Sequence, residues 1–462
     1  MKNYFTQADI RQIEATGLTI AGILEQIDLF KREVPPITLN RPCTINDGIV
    51  TLSEEEQKAF LASYDKAADD GRFLKFVPAS GAASRMFKDW YRVMEKGGFD
   101  SEEEGIKFAR DLKKFSFFDD LSAAVSRKGD NMQDLIRSGS FAGIMRYILT
   151  REGLDYGCLP KALLKFHTYP GGNRTPFEEH LVEAALSVQD GNRICRLHFT
   201  VSGEHKKYTE DYFSQIKGEY EKRYGVRFNL EISTQFPSTD TIAVDMKNIP
   251  IRNHDGSLVF RPAGHGALLE NLNQIGENIV FIKNIDNVAP DKLKPPSIIY
   301  KKILGGCLVS LQEEIFRYLR LLSDDDKITE ELSKEIADFC VKKLNITFPA
   351  GFENLPPPSR SAFIYESLNR PLRVCGMVKN EGEPGGSPFW VDDGNGSQSL
   401  QIVEEFQIDK TSQTQRDLWS SATHFNPVDL VCGIRDYIAQ EFDLHKFVNR
   451  NTFGILHRYE KG

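Results

Sequence analysis

The chain has 462 residues, 40% hydrophobic and 27% charged, which suits a globular protein with core enough for two or three domains or for one elaborated α/β domain. A net charge of −8 excludes a global basic field that would recruit nucleic acid or an anionic membrane surface, while leaving room for a local basic pocket. No apolar run approaches the roughly 18 residues of a membrane span, and seven cysteines standing singly, without a CxxC pair, argue against a disulfide framework or a zinc site. The opening MKNYFTQADI lacks a basic flank followed by an apolar core, so no secretory signal is expected and a reducing cytoplasm is the simplest setting.

Residues 1–70 read as a helical N-terminal extension. TQADIRQIEATGLTIAGILEQIDLF repeats apolar positions three and four apart, and LSEEEQKAFLASYDKAAD opens on a Ser53 cap with an acidic first turn. From 71 to 430 the pattern becomes α/β. RFLKFV, NRICRLHFTVS, VRFNLEISTQF, ENIVFIKNID, GGCLVSL and PLRVCGMVK are short apolar or alternating runs bounded by turn residues and are expected as strands. TPFEEHLVEAALSV and HKKYTEDYFSQIKGEYEKRYG have helical spacing between them, so the alternation predicts a mostly parallel mixed sheet flanked by helices. Large helical insertions are expected at about 89–157 and 311–346, and residues 431–462 read as a C-terminal helical tail.

Chemistry concentrates in a few stretches. In FVPASGAASRMFK, Phe76 to Lys88, the small residues Ser80, Gly81, Ala82, Ala83 and Ser84 fall where a strand turns into a helix, with Arg85 as a nearby fixed charge. Backbone N–H groups at such a corner can wrap an anion. Neither GxxxxGK[ST] nor GxGxxG is present, so the loop alone is compatible with a phosphate cradle and with an ordinary tight corner. In CLPKALLKFHTYPGGNRTPFEEHLVEAA, Lys161 precedes an apolar stretch and a Gly-rich turn. A capped helix then starts near Thr175-Pro176, with Glu178 and Glu179 suited to its first turn.

Farther on, Gln235 lies in STQFP, and FRPAGHGALLENL flanks His265 with Gly264 and Gly266, which lets a ligand approach the backbone. Asp286 ends the apolar run of VFIKNIDNV, where it is either a strand-terminating Asx turn or a ligand for a hard cation. In the last third, RVCGMVKNEGEP carries Lys379 and LQIVEE carries Glu404. THFNP, with Thr423, His424 and Asn426, reads as the cap of a following helix.

Taken in order, SGAASRM, PKALLKF with its RTPFEEHLVEAA helix, the GHG loop preceded by Gln235, and NIDN resemble motifs of the UDP-sugar pyrophosphorylases. Those are the GGxGTRL loop, the PK segment, the PPGHGD loop after a Q…P segment, and the NVDN strand end. The chain resembles a bacterial domain family within the nucleotide-diphospho-sugar transferase superfamily. It departs from the pattern where Ser80 and Ala83 replace the first and third loop glycines, and where the 89–157 block separates motifs that are usually close. The resemblance spans about 72–310 and, loosely, 370–430, where LQIVEE is similar to a strand whose glutamate lies near the sugar.

The resemblance implies a GT-A/Rossmann-like fold and a Mg²⁺-dependent nucleotidyl transfer. A sugar 1-phosphate and a nucleoside triphosphate, UTP favoured by the GHG loop, would give an NDP-sugar and pyrophosphate. It implies Arg85 and Lys161 on the phosphates, Ser80–Ser84, Gln235 and Gly264–Gly266 around the nucleotide, Asp286 on the metal, and Lys379 and Glu404 as phosphate and sugar contacts. Two alternatives stand beside it. One is a non-catalytic nucleotide or nucleotide-sugar binding module, which the Ser80 and Ala83 replacements favour. The other is an NDP-sugar-using glycosyltransferase, whose DxD is approached only by SDDDK at 323–327.

Overall fold

The computed structural model describes residues 5–32, 34–81, 83, 86–324, 329–383, 385–394, 396–449 and 452–455, with residue 265 described for its backbone only. The fold is mixed α/β and contains a mostly parallel six-stranded sheet. Its strands are Phe73–Pro78, Ile194–Val201, Arg227–Thr234, Ile279–Lys283, Leu372–Cys375 and Asp429–Gly433. Five of the six residues of Phe73–Pro78 are buried, the continuous pattern of a strand covered on both faces. No described helix is long and apolar enough to cross a membrane.

The chain divides into two compact units: Met1–Phe73 with Gln235–Ile282 and Lys301–Gly462, and Leu74–Thr234 with Lys283–Tyr300. In the second unit three strands run parallel, Lys75 opposite Leu197 and Leu197 opposite Leu230. Helix Pro176–Ser187 starts with a capping box: Glu178 N donates to Thr175 Oγ1 at 3.2 Å, and Thr175 N donates to Glu178 Oε2 at 2.6 Å. Helix Lys206–Tyr224 stops where Gly225 takes φ 61°, which glycine adopts without steric cost. The expected helical block consists of Lys88–Lys96, Glu102–Leu112, Phe118–Arg127, Met132–Arg137 and Phe141–Leu149. These helices close over a core of their own around Phe87, Leu112, Leu121, Ile144 and Ile148.

In the first unit, helices Gln7–Ala15 and Ile20–Lys31 are separated at Gly17 (φ 80°) and bury Ile13, Ile23 and Ile27 against Ile242 and Leu258. Residues 1–70 are not helical throughout: Leu39–Pro42 is a strand antiparallel to Ser387–Asp392, which also pairs with Gln398–Val403.

Three further expectations need correction. GGCLVSL is not a strand but the middle of helix Lys294–Leu322, so the helical stretch expected from 311 starts earlier. A short apolar run bounded by glycines does not distinguish the two; here the glycines serve packing. A Cβ at Gly306 would lie 1.8 Å from the Phe60 carbonyl oxygen, and one at Gly305 2.7 Å from the Phe281 ring. Second, the expected helical tail opens instead with strand Asp429–Gly433, antiparallel to Leu372–Cys375. Third, THFNP caps no helix. His424–Phe425 pairs with Val378–Lys379, and buried Asn426 donates from Nδ2 to the Gly376 carbonyl at 2.7 Å and accepts from Val428 N at 2.9 Å.

Candidate functional site

Within the second unit the loop after strand Phe73–Pro78 turns as a corner. Ala79 is buried and its N–H donates to the Thr200 carbonyl at 2.8 Å, and Ala83 is buried in the helical core beside Phe87. Ser80 is half-buried and Gly81 exposed, and a Cβ on Gly81 would meet nothing within 4 Å. Neither residue is among the described positions with left-handed φ, so these two take angles open to any side chain and Ser80 is no strained stand-in for glycine. Ala82, Ser84 and Arg85 lie outside the described residues.

Lys161 opens a single 3₁₀ turn, Lys161–Leu163, whose Ala162 and the following Leu164 are buried. The segment before it is held by His205, whose Nε2 donates to the Cys158 carbonyl at 2.8 Å while Nδ1 accepts from Ser202 Oγ at 2.6 Å. A carbonyl can only accept, so the imidazole carries its proton on Nε2. The Lys161 ammonium forms an ion pair with Asp286 Oδ2. Their side chains are 26% and 37% exposed, which keeps the pair open to a ligand.

Asp286 is held through its own backbone. Ile285 N donates to the Pro78 carbonyl at 3.2 Å, tying the segment to the end of the neighbouring strand. His180, fully buried, places Nε2 at 3.2 Å from both the Asn284 and the Ile285 carbonyls. Burial first, and the charge of Lys75 second, hold the His180 pKa well below the ordinary imidazole value. The ring is therefore neutral, with its proton on Nε2.

One helix turn on, Glu183 forms ion pairs with two buried lysines, accepting a hydrogen bond from Lys283 at 2.7 Å and lying 2.8 Å from the Lys75 ammonium. One turn back, the fully buried Glu179 carboxylate accepts from Tyr169 Oη at 2.7 Å and from Lys294 Nζ, with His167 Nδ1 at 2.9 Å and the Arg174 guanidinium at 3.6 Å. Arg174 in turn donates to Asp291 at 2.7 Å and lies 4.1 Å over the Tyr169 ring. Burial is the largest single influence and works against charge on both Arg174 and Asp291, but their mutual hydrogen bond together with the neighbouring charges outweighs it. The guanidinium is held above, and the carboxyl below, its usual range. Burial, then the bond to Glu179, push the Tyr169 phenol up. Lys294 also donates to the Ala289 carbonyl at 2.5 Å and to Asp291 at 3.2 Å. One face of helix Pro176–Ser187 thus grips the chain from Lys283 to Lys294, with Asp286 in its middle.

The other expected contacts lie in the first unit. Gln235 Nε2 donates weakly, at 3.5 Å, to the Ala263 carbonyl just ahead of the GHG loop. Residues 265–267 form a 3₁₀ turn into helix Leu268–Asn273, and a Cβ on Gly264 or Gly266 would meet no atom within 4 Å. The His265 side chain lies outside the described residues. Lys379 is exposed opposite His424, and Glu404 is an exposed cap whose N–H donates to Gln407 Oε1 at 2.8 Å. Of SDDDK, Ser323 and Asp324 follow the end of helix Lys294–Leu322, and 325–327 lie outside the described residues.

Among the described residues no three His, Cys, Asp or Glu side chains converge as a metal cage. Asp286, a lone half-exposed carboxylate, fits a hard cation such as Mg²⁺, which takes one or two carboxylates and fills its other positions with water and phosphate oxygens.

The sequence motifs give no role to Lys75, His180, Glu183, Lys283 and Lys294, and to Glu179 only a place in a first helical turn, although one signal was available. RFLKFV and IVFIK each hold one lysine inside a buried strand, and a buried ammonium demands a carboxylate partner. The alternation EEH–E along one helix supplies it.

Comparison with curated proteins finds no match. Among solved structures, the fold is similar to the UDP-N-acetylglucosamine pyrophosphorylase of Trypanosoma brucei in complex with an inhibitor. The TM-score is 0.40 at 11% identity, covering 93% of this chain and 62% of that one. It is also similar to a UDP-glucose phosphorylase of Trypanosoma brucei, with TM-score 0.38, 12% identity and coverage of 92% and 62%. A mutant UDP-glucose pyrophosphorylase of Leishmania major in complex with UDP-glucose gives 0.35, 11%, and again 92% and 62%. The chain thus spans less than two thirds of the length of these proteins. The family described as Domain of unknown function (DUF4301) matches residues 6–462. Nearly the whole sequence is accounted for by that match, and the chain belongs to the DUF4301 family.

Proposed function

We propose that the chain is a nucleotidyltransferase that joins a sugar 1-phosphate to a nucleoside triphosphate, UTP favoured, giving an NDP-sugar and pyrophosphate. The observation that carries this reading is the half-exposed Lys161–Asp286 pair, set on a rigid backbone beside the strand that leads into the Ser80–Gly81 loop. In this reaction a phosphate oxygen of the sugar 1-phosphate attacks the α-phosphorus, its bond forms as the bond to the β-phosphate bridging oxygen breaks, and pyrophosphate leaves with the electron pair. No protein nucleophile is needed, and the work is positioning and charge stabilisation.

Lys161 would hold the phosphates and offset charge on the leaving group, a role the sequence motif also gives to Arg85, while Ser80 and the Gly81 N–H would fix the triphosphate. For the first unit the sequence resemblance alone suggests base and ribose contacts at Gln235 and the GHG loop and sugar-phosphate contacts at Lys379 and Glu404. Asp286 would hold Mg²⁺, which when bound neutralises phosphate charge. The buried Ala79 and Ala83 favour a second reading in which the corner is chiefly structural and the protein binds a nucleotide-sugar without turning it over.

Pyrophosphate release, measured with Mg²⁺, each common nucleoside triphosphate and a panel of sugar 1-phosphates, separates the two. Turnover is expected, most with UTP, and Asp286→Asn or Lys161→Ala should lower it by about 10²-fold or more. A rise in melting temperature with NDP-sugars but no release selects the binding module. No release and no nucleotide-dependent shift with any pair sinks both.

A further inference from the structure

We propose that His180 is a positioning residue for Asp286, acting through the backbone that precedes it. The inference rests on the reading of Asp286 as the metal-holding carboxylate. Its Nε2–H is shared between the carbonyls of Asn284 and Ile285, each at 3.2 Å, the two peptide groups immediately ahead of Asp286. The remaining nitrogen, Nδ1, lies buried and has no hydrogen-bond partner among the described residues. An apolar side chain would fill the same space without that unsatisfied acceptor, so what the position uses is the donor.

The neighbouring supports divide the labour. Lys283 on Glu183 anchors the strand before this point, and Lys294 on Glu179 anchors Ala289 and Asp291 beyond it. At Asp286 itself the Ile285 N–H is bonded to the Pro78 carbonyl and the Asn284 carbonyl also accepts from Asn287 N at 3.1 Å, but among the described hydrogen bonds His180 is the side chain that reaches both peptides. Two carbonyls drawn to one N–H fix the peptide planes at 284 and 285, and with them the direction in which the Asp286 Cβ leaves the chain. Lys161, on its own separately held turn, meets a carboxylate already in place. His180 therefore fixes Asp286 without touching the reacting atoms.

A glutamine places its amide nitrogen near the Nε2 position, whereas an asparagine places it near Nδ1. His180→Gln should therefore keep the clamp and His180→Asn should lose it. Two readouts apply: the rate at which N-hydroxysuccinimidyl acetate acetylates Lys161, followed by mass spectrometry, and the affinity for Mn²⁺ in the presence of UTP. His180→Asn and Asp286→Asn are expected to expose Lys161 and speed its acetylation several-fold. His180→Asn should also weaken Mn²⁺ about tenfold, and His180→Gln should stay near the wild type in both.

Wild-type behaviour of His180→Asn in both readouts overturns the proposal. So does equal damage by Gln and Asn, which would mean that the position only packs. His180→Leu, which fills the space with no donor, supplies the same contrast should His180→Asn not fold. If acetylation follows the expected pattern while wild type and Asp286→Asn bind Mn²⁺ alike, the positioning of Asp286 stands and the metal-holding role falls.

Discussion

Glu183 shares its two carboxylate oxygens between Lys75 and Lys283, and all three side chains are almost completely buried. Such a cluster has little net worth compared with apolar packing, but removing one member leaves charge without its counter-charge in a poor solvent. Glu183→Ala should cost about 3–5 kcal/mol, read from urea denaturation. His180 makes a prediction of the opposite kind, in pH. Its folded pKa is depressed, so the unfolded chain takes up a proton as pH falls below about 6.5 while the folded protein does not. Its contribution is thus fully present above that pH and declines on acidification, by at most about 1.4 kcal/mol per pH unit. The urea midpoint of the wild type should fall more between pH about 7.5 and about 5.5 than that of His180→Gln. Equal falls would rule out a buried neutral imidazole.

At the level of elements, helix Lys294–Leu322 decides the packing of the first unit. The Gly305-Gly306 pair lets its backbone come against Phe60, Tyr64 and Phe281, where Tyr64 stacks on Phe73 and Phe281 meets both at an angle, with ring centroids 4.7–6.4 Å apart. A methyl at Gly306 must push a backbone carbonyl aside, because it would meet an oxygen at 1.8 Å. Gly306→Ala should destabilise by about 3 kcal/mol. Gly81→Ala, with open space and ordinary φ, should leave the melting temperature nearly unchanged. The reverse order in thermal unfolding would mean that the helix does not run this close.

At the level of the whole chain, the amino-terminal helices belong to a unit built from segments distant in sequence. Arg252 donates to both oxygens of buried Asp9, at 2.7 and 2.9 Å, and Gln12 donates to the Leu258 carbonyl at 2.8 Å while accepting from its N–H at 2.8 Å. Helix Ile20–Lys31 adds Gln26, which accepts from Ile242 N at 2.9 Å. Deleting residues 1–31 should therefore expose Ile242 and Leu258, lower the melting temperature and cause aggregation in gel filtration. A truncated chain as stable and monodisperse as the full one would mean that these helices are an appendage, as their sequence suggested.

The local pattern of residues by itself determined much of the element inventory. The buried strand RFLKFV, the capping box of Thr175 and Glu178, the stop at Gly225 and the helices of the 89–157 block all follow from period, caps and backbone freedom within a few residues. The same local reading failed where two structures share one short pattern. GGCLVSL became helix because Phe60 needed glycines beside it, and the run after Asp429 became strand because Leu372–Cys375 offered a partner. The site divides in the same way. Lys161 and Asp286 stood out as residue types at suggestive places, but 125 positions separate them, and only the tertiary structure brought them into one ion pair. Their supports, Glu179, His180 and Glu183, looked like the ordinary polar residues of a capped helix. Burying that helix removed water from its charges, and each then had to find a partner on the segment that carries Asp286.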